Sequence, residues 1–99
     1  MKHVNVIFEG ELSDVDIISV PDDVAINIEA VVQTFFDWVF EPENKQMFEK
    51  LTDEGKIVVS IGTHEFIWWL NKYRTDHSNE STIVKEHTVY CSEYPSAEF

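Results

Sequence analysis

The stretch VAINIEAVVQTFFDWVF, residues 24–40, decides the fold because it predicts the principal helix of the chain. Its apolar side chains recur at spacings of three and four residues, which places them on one helical stripe that faces the core. Asp22 or Asp23 is expected to be the N-cap, and Pro42 ends the helix because a residue before proline avoids the α region. The stripe consists of Val24, Ile28, Val31, Val32, Phe35, Trp38 and Val39.

Two strands are predicted before this helix. Val4, Val6 and Phe8 alternate with Asn5, Ile7 and Glu9, and a period of two is typical of a strand. A second strand covers about Leu12 to Val20. The turn Glu9-Gly10-Glu11 joins the two strands as a hairpin, in which Gly10 supplies a positive φ.

Further elements are predicted after Pro42, which suits the first position of a second helix. The β-branched run Lys56 to Ile61 predicts a strand that is central and buried. Thr63 is expected to cap the third helix. The remaining predictions are helices from Pro42 to Leu51 and from His64 to Arg74, a polar loop from Thr75 to Ser81, a strand from Thr82 to Cys91, and a frayed tail from Ser92 to Phe99.

This order, ββ-α-α-β-α-β, predicts an α+β fold. The economical architecture is a four-stranded antiparallel or mixed sheet with the helices mainly on one face. Ninety-nine residues are enough for one core and too few for a second. We therefore expect residues 1–91 to form a single acidic domain and residues 92–99 to be a frayed C-terminal tail.

The charge of the chain is strongly negative and unevenly placed. The net charge is −12, and residues 1–44 hold ten acids against one base, Lys2. Such a charge repels nucleic acid and anionic membranes, and it attracts basic partners. We expect one acidic face and a basic protein as partner, with no direct binding to nucleic acid or membrane.

Catalytic and metal-binding patterns are weak in this sequence. His87 and Cys91 stand four apart on a predicted strand, about 13 Å along it, which is beyond hydrogen-bond reach. A zinc site would need two more ligands, of which His64 or His77 could supply one. We expect no enzyme, metal or cofactor, although a small enzyme or metal protein using these residues is a third hypothesis.

The cellular location is predicted from the same inventory. One cysteine cannot form an internal disulfide, which favours a reducing compartment. The N-terminus lacks the apolar region of a signal peptide, and no stretch has the roughly 18 apolar residues of a membrane span. We expect a soluble, cytoplasmic protein.

The aromatic side chains placed off the core stripe carry the most functional information. Phe36, Phe40 and Trp68 are predicted to lie among carboxylates or polar groups, as interface hot spots commonly do. A competing interpretation is that the helix after Pro42 folds back and covers the two phenylalanines with Met47 and Phe48. Trp68 could equally lie against a loop or the tail. The predicted partner-binding residues are Asp14, Asp16, Asp22, Asp23, Glu29, Phe36, Asp37, Phe40, Glu41 and Trp68.

Two functions compete on these grounds. The leading hypothesis is an inhibitor that neutralises a basic partner, such as a nuclease toxin or a nucleic-acid-binding protein. An immunity protein, an antitoxin or a nucleic-acid mimic would act in this way. The alternative is a structural or regulatory subunit that self-associates or docks through its aromatics, for example as a homodimer with Phe36 and Phe40 on a two-fold axis.

Overall fold

Six strands and four helices make up the part of the chain that the computed structural model describes, which is residues 1–74 and 80–99. In chain order they are β1 (Lys2–Ile7), β2 (Val15–Val20), α1 (Asp22–Ile26), α2 (Ile28–Val39), α3 (Pro42–Phe48), β3 (Glu49–Leu51), β4 (Ile57–Val59), α4 (Thr63–Tyr73), β5 (Thr82–Thr88) and β6 (Ser96–Glu98).

The alternating residues at the start of the chain form the centre of a mixed four-stranded sheet. Its strand order is β5-β2-β1-β6. β2 runs antiparallel to both β1 and β5, whereas β6 runs parallel to β1. Gly10 has the predicted positive φ of 72°, and the amide of Glu11 donates to the carbonyl of Phe8 to close the turn. The predicted α+β class and the four-stranded mixed sheet are confirmed.

The core lies between the helices and one face of this sheet. Val4, Val6 and Ile18 pack there with apolar residues of α1, α2 and α4. Every member of the predicted stripe except Trp38 is buried, and Trp38 packs against the core as a half-buried ring. The predicted single helix is interrupted at Asn27, whose φ of −107° and ψ of 27° separate α1 from α2.

The opposite face of the sheet is covered by residues 89–95, which link β5 to β6. Ile7, Val15 and Ile17 are buried beneath Tyr90 and Tyr94. Burial on both faces explains why Asn5, which alternation assigns to a polar face, has no exposed surface.

Three predictions from the sequence differ from the structure. The run at Lys56 to Ile61 is not a central buried strand, because β4 pairs with β3 in a separate two-stranded sheet. The predicted helix from Pro42 to Leu51 accordingly ends at Phe48. The expected fraying of residues 92–99 is also wrong, since β6 pairs with β1 and buries Ala97.

The predicted helix caps and the polar loop have separate outcomes. Neither Asp22 nor Asp23 caps α1, whose N-cap is Pro21, and α4 begins at Thr63 with Gly62 as its N-cap. Most of the loop predicted for Thr75 to Ser81, including His77, falls outside the described residues. Within residues 1–74 and 80–99, no helix is long and apolar enough to cross a bilayer.

Candidate functional site

A row of aromatic rings runs from the end of α2 to the β1–β2 turn. The rings of Phe40 and Phe36 lie 6.3 Å apart, and Phe36 lies 5.5 Å from Phe99. Phe99 stacks on Phe8 at 5.1 Å. Phe40 remains 53% exposed, whereas Phe36 is half-buried. Met47 and Phe48 do not cover this pair, because Phe48 packs on Trp38 and Met47 is exposed.

The direction of α2 brings distant acids to the same end of the domain. Its first turn lines a groove with Pro95 and Ser96, and its later turns reach Phe99, so α2 runs alongside β6 and β1. β2 begins where these two strands end, and β5 ends there. We call this region the acidic end. Its carboxylates are Glu9, Glu11, Asp14, Asp16, Asp37, Glu41, Glu86 and Glu98.

The acidic end has little positive charge to balance it. Residues 3–44 contain no Lys or Arg. In the part of the chain that the structure describes, none of the eight carboxylates forms an ion pair with Lys or Arg. The last turn of α2 also lacks a basic residue, so the negative end of its helix dipole adds to the same field.

Two histidines contribute the counter-charges that this region does have. A groove of about 410 Å³ is lined by His64 and His87 together with acids of the acidic end. His64 Nε2 lies 3.0 Å from Glu86 Oε1, and His87 Nδ1 lies 2.9 Å from Asp14 Oδ1. Both imidazoles are exposed, and each carries a counter-charge only when it is protonated.

Asp16 lines this groove and links β2, α4 and β5 through hydrogen bonds. It is half-buried at the start of β2, where it accepts a hydrogen bond from the Thr63 hydroxyl at the start of α4. Its other oxygen accepts the backbone amide of His87 at 3.1 Å. The β2–β5 register shifts between Val15 and Ile17, and His87 adopts a φ of 52° beside this bulge. Asp16 therefore stabilises the irregular end of the sheet.

The groove gathers four carboxylates and two imidazoles. Among residues 1–74 and 80–99, no three His, Cys, Asp or Glu side chains are grouped so that they could hold a metal ion. Both imidazoles are open to water, whereas an acid–base site usually excludes water. Cys91 lies beyond the end of β5, away from this groove, and its amide donates to the side-chain oxygen of Asn5. A cationic side chain is the ligand that four carboxylates around one groove would attract.

The structure separates the predicted partner-binding residues into distinct places. Asp14, Asp16, Phe36, Asp37, Phe40 and Glu41 lie at the acidic end. Glu29 lies at the start of α2 and borders the acidic end, because it shares a groove with Phe36 and Glu98. Asp22 and Asp23 begin α1 at the opposite end, where Asp22 pairs with the Met1 amine at 3.2 Å.

Trp68 belongs to a neighbouring surface between α3 and α4. Its ring is 42% exposed, lies 6.0 Å from Trp38 and carries the Lys72 ammonium 4.9 Å from its centroid. It also lines a cleft with Met47 and His64. Because His64 borders the acidic groove as well, the two surfaces adjoin each other.

Sequence reasoning missed Phe8 and Phe99, and it named His64 and His87 only as candidates for a metal or enzyme site. Phe8 reads as a core residue of an alternating strand, and Phe99 lies in a segment expected to fray. His64 and His87 are brought together by the packing of α4 against β5, and no spacing in the sequence encodes that meeting.

The imidazole of His87 is expected to titrate above its ordinary value of 6.5. Its hydrogen bond to Asp14, and then the charge of that carboxylate, raise the pKa of His87. The stabilisation from this pair is therefore fully present below pH 6.5 and is lost as pH rises through the folded-state value. NMR titration should show the midpoint falling in Asp14→Asn and staying unchanged in Asp37→Asn. An equal midpoint in wild type and Asp14→Asn would contradict the pairing.

No related protein supplies a function for this surface. Comparisons with family models, curated proteins and solved structures find no match for the chain. The chemistry of its own side chains is therefore the basis for a functional proposal.

Proposed function

We propose that this chain binds and blocks a basic protein, with the acidic end as the binding surface. A nuclease toxin or a nucleic-acid-binding protein has the required chemistry, so the chain would act as an immunity protein, an antitoxin or a nucleic-acid mimic. The observation that supports this most is the gathering of eight carboxylates from the β1–β2 turn, β2, the end of α2, β5 and β6, without a Lys or Arg ion-pair partner among the described residues.

The electrostatic argument concerns the partner's own function. A protein that grips a phosphate backbone must present clustered Lys and Arg side chains. A domain of charge −12 with its acids concentrated at one end is attracted to such a cleft over distances of about a Debye length. Occupying the cleft would exclude the nucleic acid.

The aromatic row supplies the contacts that slow release. Phe40 presents an exposed ring beside Asp37 and Glu41. It stacks on Phe36, which in turn contacts Phe99. An aromatic ring surrounded by charged groups is a common hot-spot arrangement. Trp68, across the shared border at His64, extends the apolar contact area.

The proposal also places the protein in the cytoplasm. Its only cysteine, Cys91, is free, and a thiol that forms no disulfide suits a reducing compartment. In the cytoplasm the chain would encounter a toxin or nucleic-acid-binding protein made in the same cell.

Reversing the charge of two acids should slow association with the partner. Asp37→Lys with Glu41→Lys changes the exposed rim beside Phe40 and leaves the internal hydrogen bonds of Asp16 intact. We expect the association rate constant to fall on the order of tenfold at low salt, with a smaller difference at high salt. The partner is first isolated by a nuclease-treated pull-down from native host lysate, eluted with a salt gradient, and the rates are then measured by surface plasmon resonance.

The matched control reverses two acids elsewhere. Asp53→Lys with Glu54→Lys makes the same change in net charge in the turn between β3 and β4, outside the acidic end. Equal slowing in both double variants would mean that net charge alone matters and that the acidic end is not the site. Recovery of no basic protein at any salt concentration would reject the proposal itself.

A further inference from the structure

The two-stranded sheet of β3 and β4 stands apart from the main sheet and leaves large apolar side chains in water. Leu51 is 74% exposed and Ile57 is 67% exposed, and these two residues face each other across the hairpin. Val58 is exposed on the opposite face. An isolated two-stranded hairpin is only marginally stable in water. This hairpin therefore gains from any strand added to it.

The hydrogen-bond pattern identifies which backbone groups of β4 are open. Thr52 donates to the Lys56 carbonyl at 2.8 Å, and Ser60 donates to the Phe48 carbonyl at 2.8 Å. Hydrogen-bonded and non-hydrogen-bonded pairs alternate in an antiparallel ladder. The amide and carbonyl of Val58 therefore point towards Lys50 on β3. The amides and carbonyls of Ile57 and Val59 consequently point away from β3, towards the outer edge.

This edge lacks the charges that protect the other edges. β5 carries Lys85 and Glu86, β6 carries Glu98, and β3 carries Glu49 and Lys50, whereas β4 consists of Ile57, Val58 and Val59. Charged side chains normally prevent edge-to-edge pairing of strands. β4 is the edge in the described part of the chain that has no such protection.

We propose that β4 pairs antiparallel with β4 of a second copy of this chain, around a two-fold axis at Val58. In that register Ile57 lies opposite Val59 of the second copy, and the outward amides and carbonyls of these two residues satisfy each other. Val58 lies opposite the same valine of the second copy. The two hairpins then form one four-stranded sheet, whose apolar face carries Leu51 and Ile57 from both chains.

The local charge selects a second copy as the occupant. Residues 45–60 contain Lys45, Lys50 and Lys56 against Glu49, Asp53 and Glu54, so this segment is neutral in a chain of charge −12. Two such chains repel each other across most of their surfaces, and the neutral hairpin is where they can approach. A strongly basic partner, in contrast, would gain no attraction here.

The first test is the mass of the intact chain in solution. Sedimentation equilibrium should show the mass rising from 11.6 kDa towards twice that value over roughly the 10–100 micromolar range expected for a small interface. Raising the salt concentration should strengthen the dimer, because salt screens the repulsion between the acidic chains. A monomer at every concentration and salt would overturn the proposal.

A charge swap on the axis tests the register. Val58→Lys and Val58→Glu each place like charges opposite each other, so each variant alone should weaken dimerisation on the order of tenfold or more. An equimolar mixture of the two should form a heterodimer. Dimers that persist in both single variants, or a mixture that stays monomeric although both variants are folded by circular dichroism, would contradict pairing at Val58.

The backbone gives a further test that does not depend on side-chain packing. Ile57→Pro removes an outward amide without removing a bond to β3, so the hairpin should remain while the dimer is lost. Hydrogen exchange at Val59 should slow with protein concentration, whereas Val58 should be protected at all concentrations. The double variant Asp37→Lys with Glu41→Lys should still dimerise, which separates this inference from the proposed function.

Discussion

Replacing Asn5 by alanine is expected to lower the free energy of unfolding by about 3 kcal/mol, since three hydrogen bonds of about 1 kcal/mol each are lost. Asn5 Nδ2 donates to the carbonyls of Cys91 at 2.8 Å and Tyr94 at 3.2 Å, and Oδ1 accepts the amide of Cys91 at 3.0 Å. Asn5 is fully buried, so alanine would leave the amide and both carbonyls short of partners beneath the 89–95 segment.

Urea denaturation followed by circular dichroism measures this loss. Glu93→Gln is the matched control, because Glu93 lies exposed in the same segment and should change the stability by less than about 0.5 kcal/mol. Asn5→Asp keeps the shape but turns the donor into an acceptor facing two carbonyls, and it should be at least as damaging as alanine. A loss below about 1 kcal/mol for Asn5→Ala would show that water replaces the side chain and that the segment is loosely held.

The residue pattern predicted the helical core well because that core is built from local periodicity. The stripe from Val24 to Val39 needs only the geometry of a helix to define its buried face. The alternating run at Val4 and Val6 defines a strand in the same way. The helix stripe and the strand face pack against each other in one core, and so the α+β class follows from the residues alone.

Strand pairing was less predictable because it depends on partners far apart in sequence. Residues 57–61 and 96–98 compete for places in a sheet, and composition favours the β-branched run over Ser-Ala-Glu. In the structure β6 joins the main sheet, because residues 89–95 cross the second face of that sheet and place β6 beside β1. Asn5 fixes that crossing, and its role is visible only once both faces are known to be buried.

The acidic end shows the same limit for function. The predicted partner-binding residues include four of its eight acids and two of its rings, since unbalanced charge and off-stripe aromatics are local properties. It did not identify Phe99, which joins Phe36 to Phe8, because a C-terminal residue after a proline carries no periodic signal. The proposed binding surface and the stability of the domain therefore both depend on Phe99.

Deleting residues 96–99 is expected to leave the chain largely unfolded. The deletion removes the pairing of β6 with β1, the buried Ala97 and the ring of Phe99, which lies 5.1 Å from both Phe8 and Phe66 and 6.1 Å from Phe35. Burying one such ring is worth about 3 kcal/mol, and a domain of this size has roughly 5–15 kcal/mol in total. The loss of a whole strand and this ring together approaches that total.

Two point variants divide the effect between ring and strand. Phe99→Ala keeps the backbone bonds between Phe99 and both Ile7 and Glu9, and it should cost about 2–3 kcal/mol because Phe99 is half-buried. Glu98→Gln keeps the strand and changes only an exposed carboxylate, so its stability should match the wild type. Circular dichroism and urea denaturation of all three variants provide the comparison. A truncated chain with a native spectrum and a urea midpoint close to that of the full chain would contradict this prediction. It would mean that residues 96–99 fray and that Phe99 does not hold Phe36 and Phe40 in place.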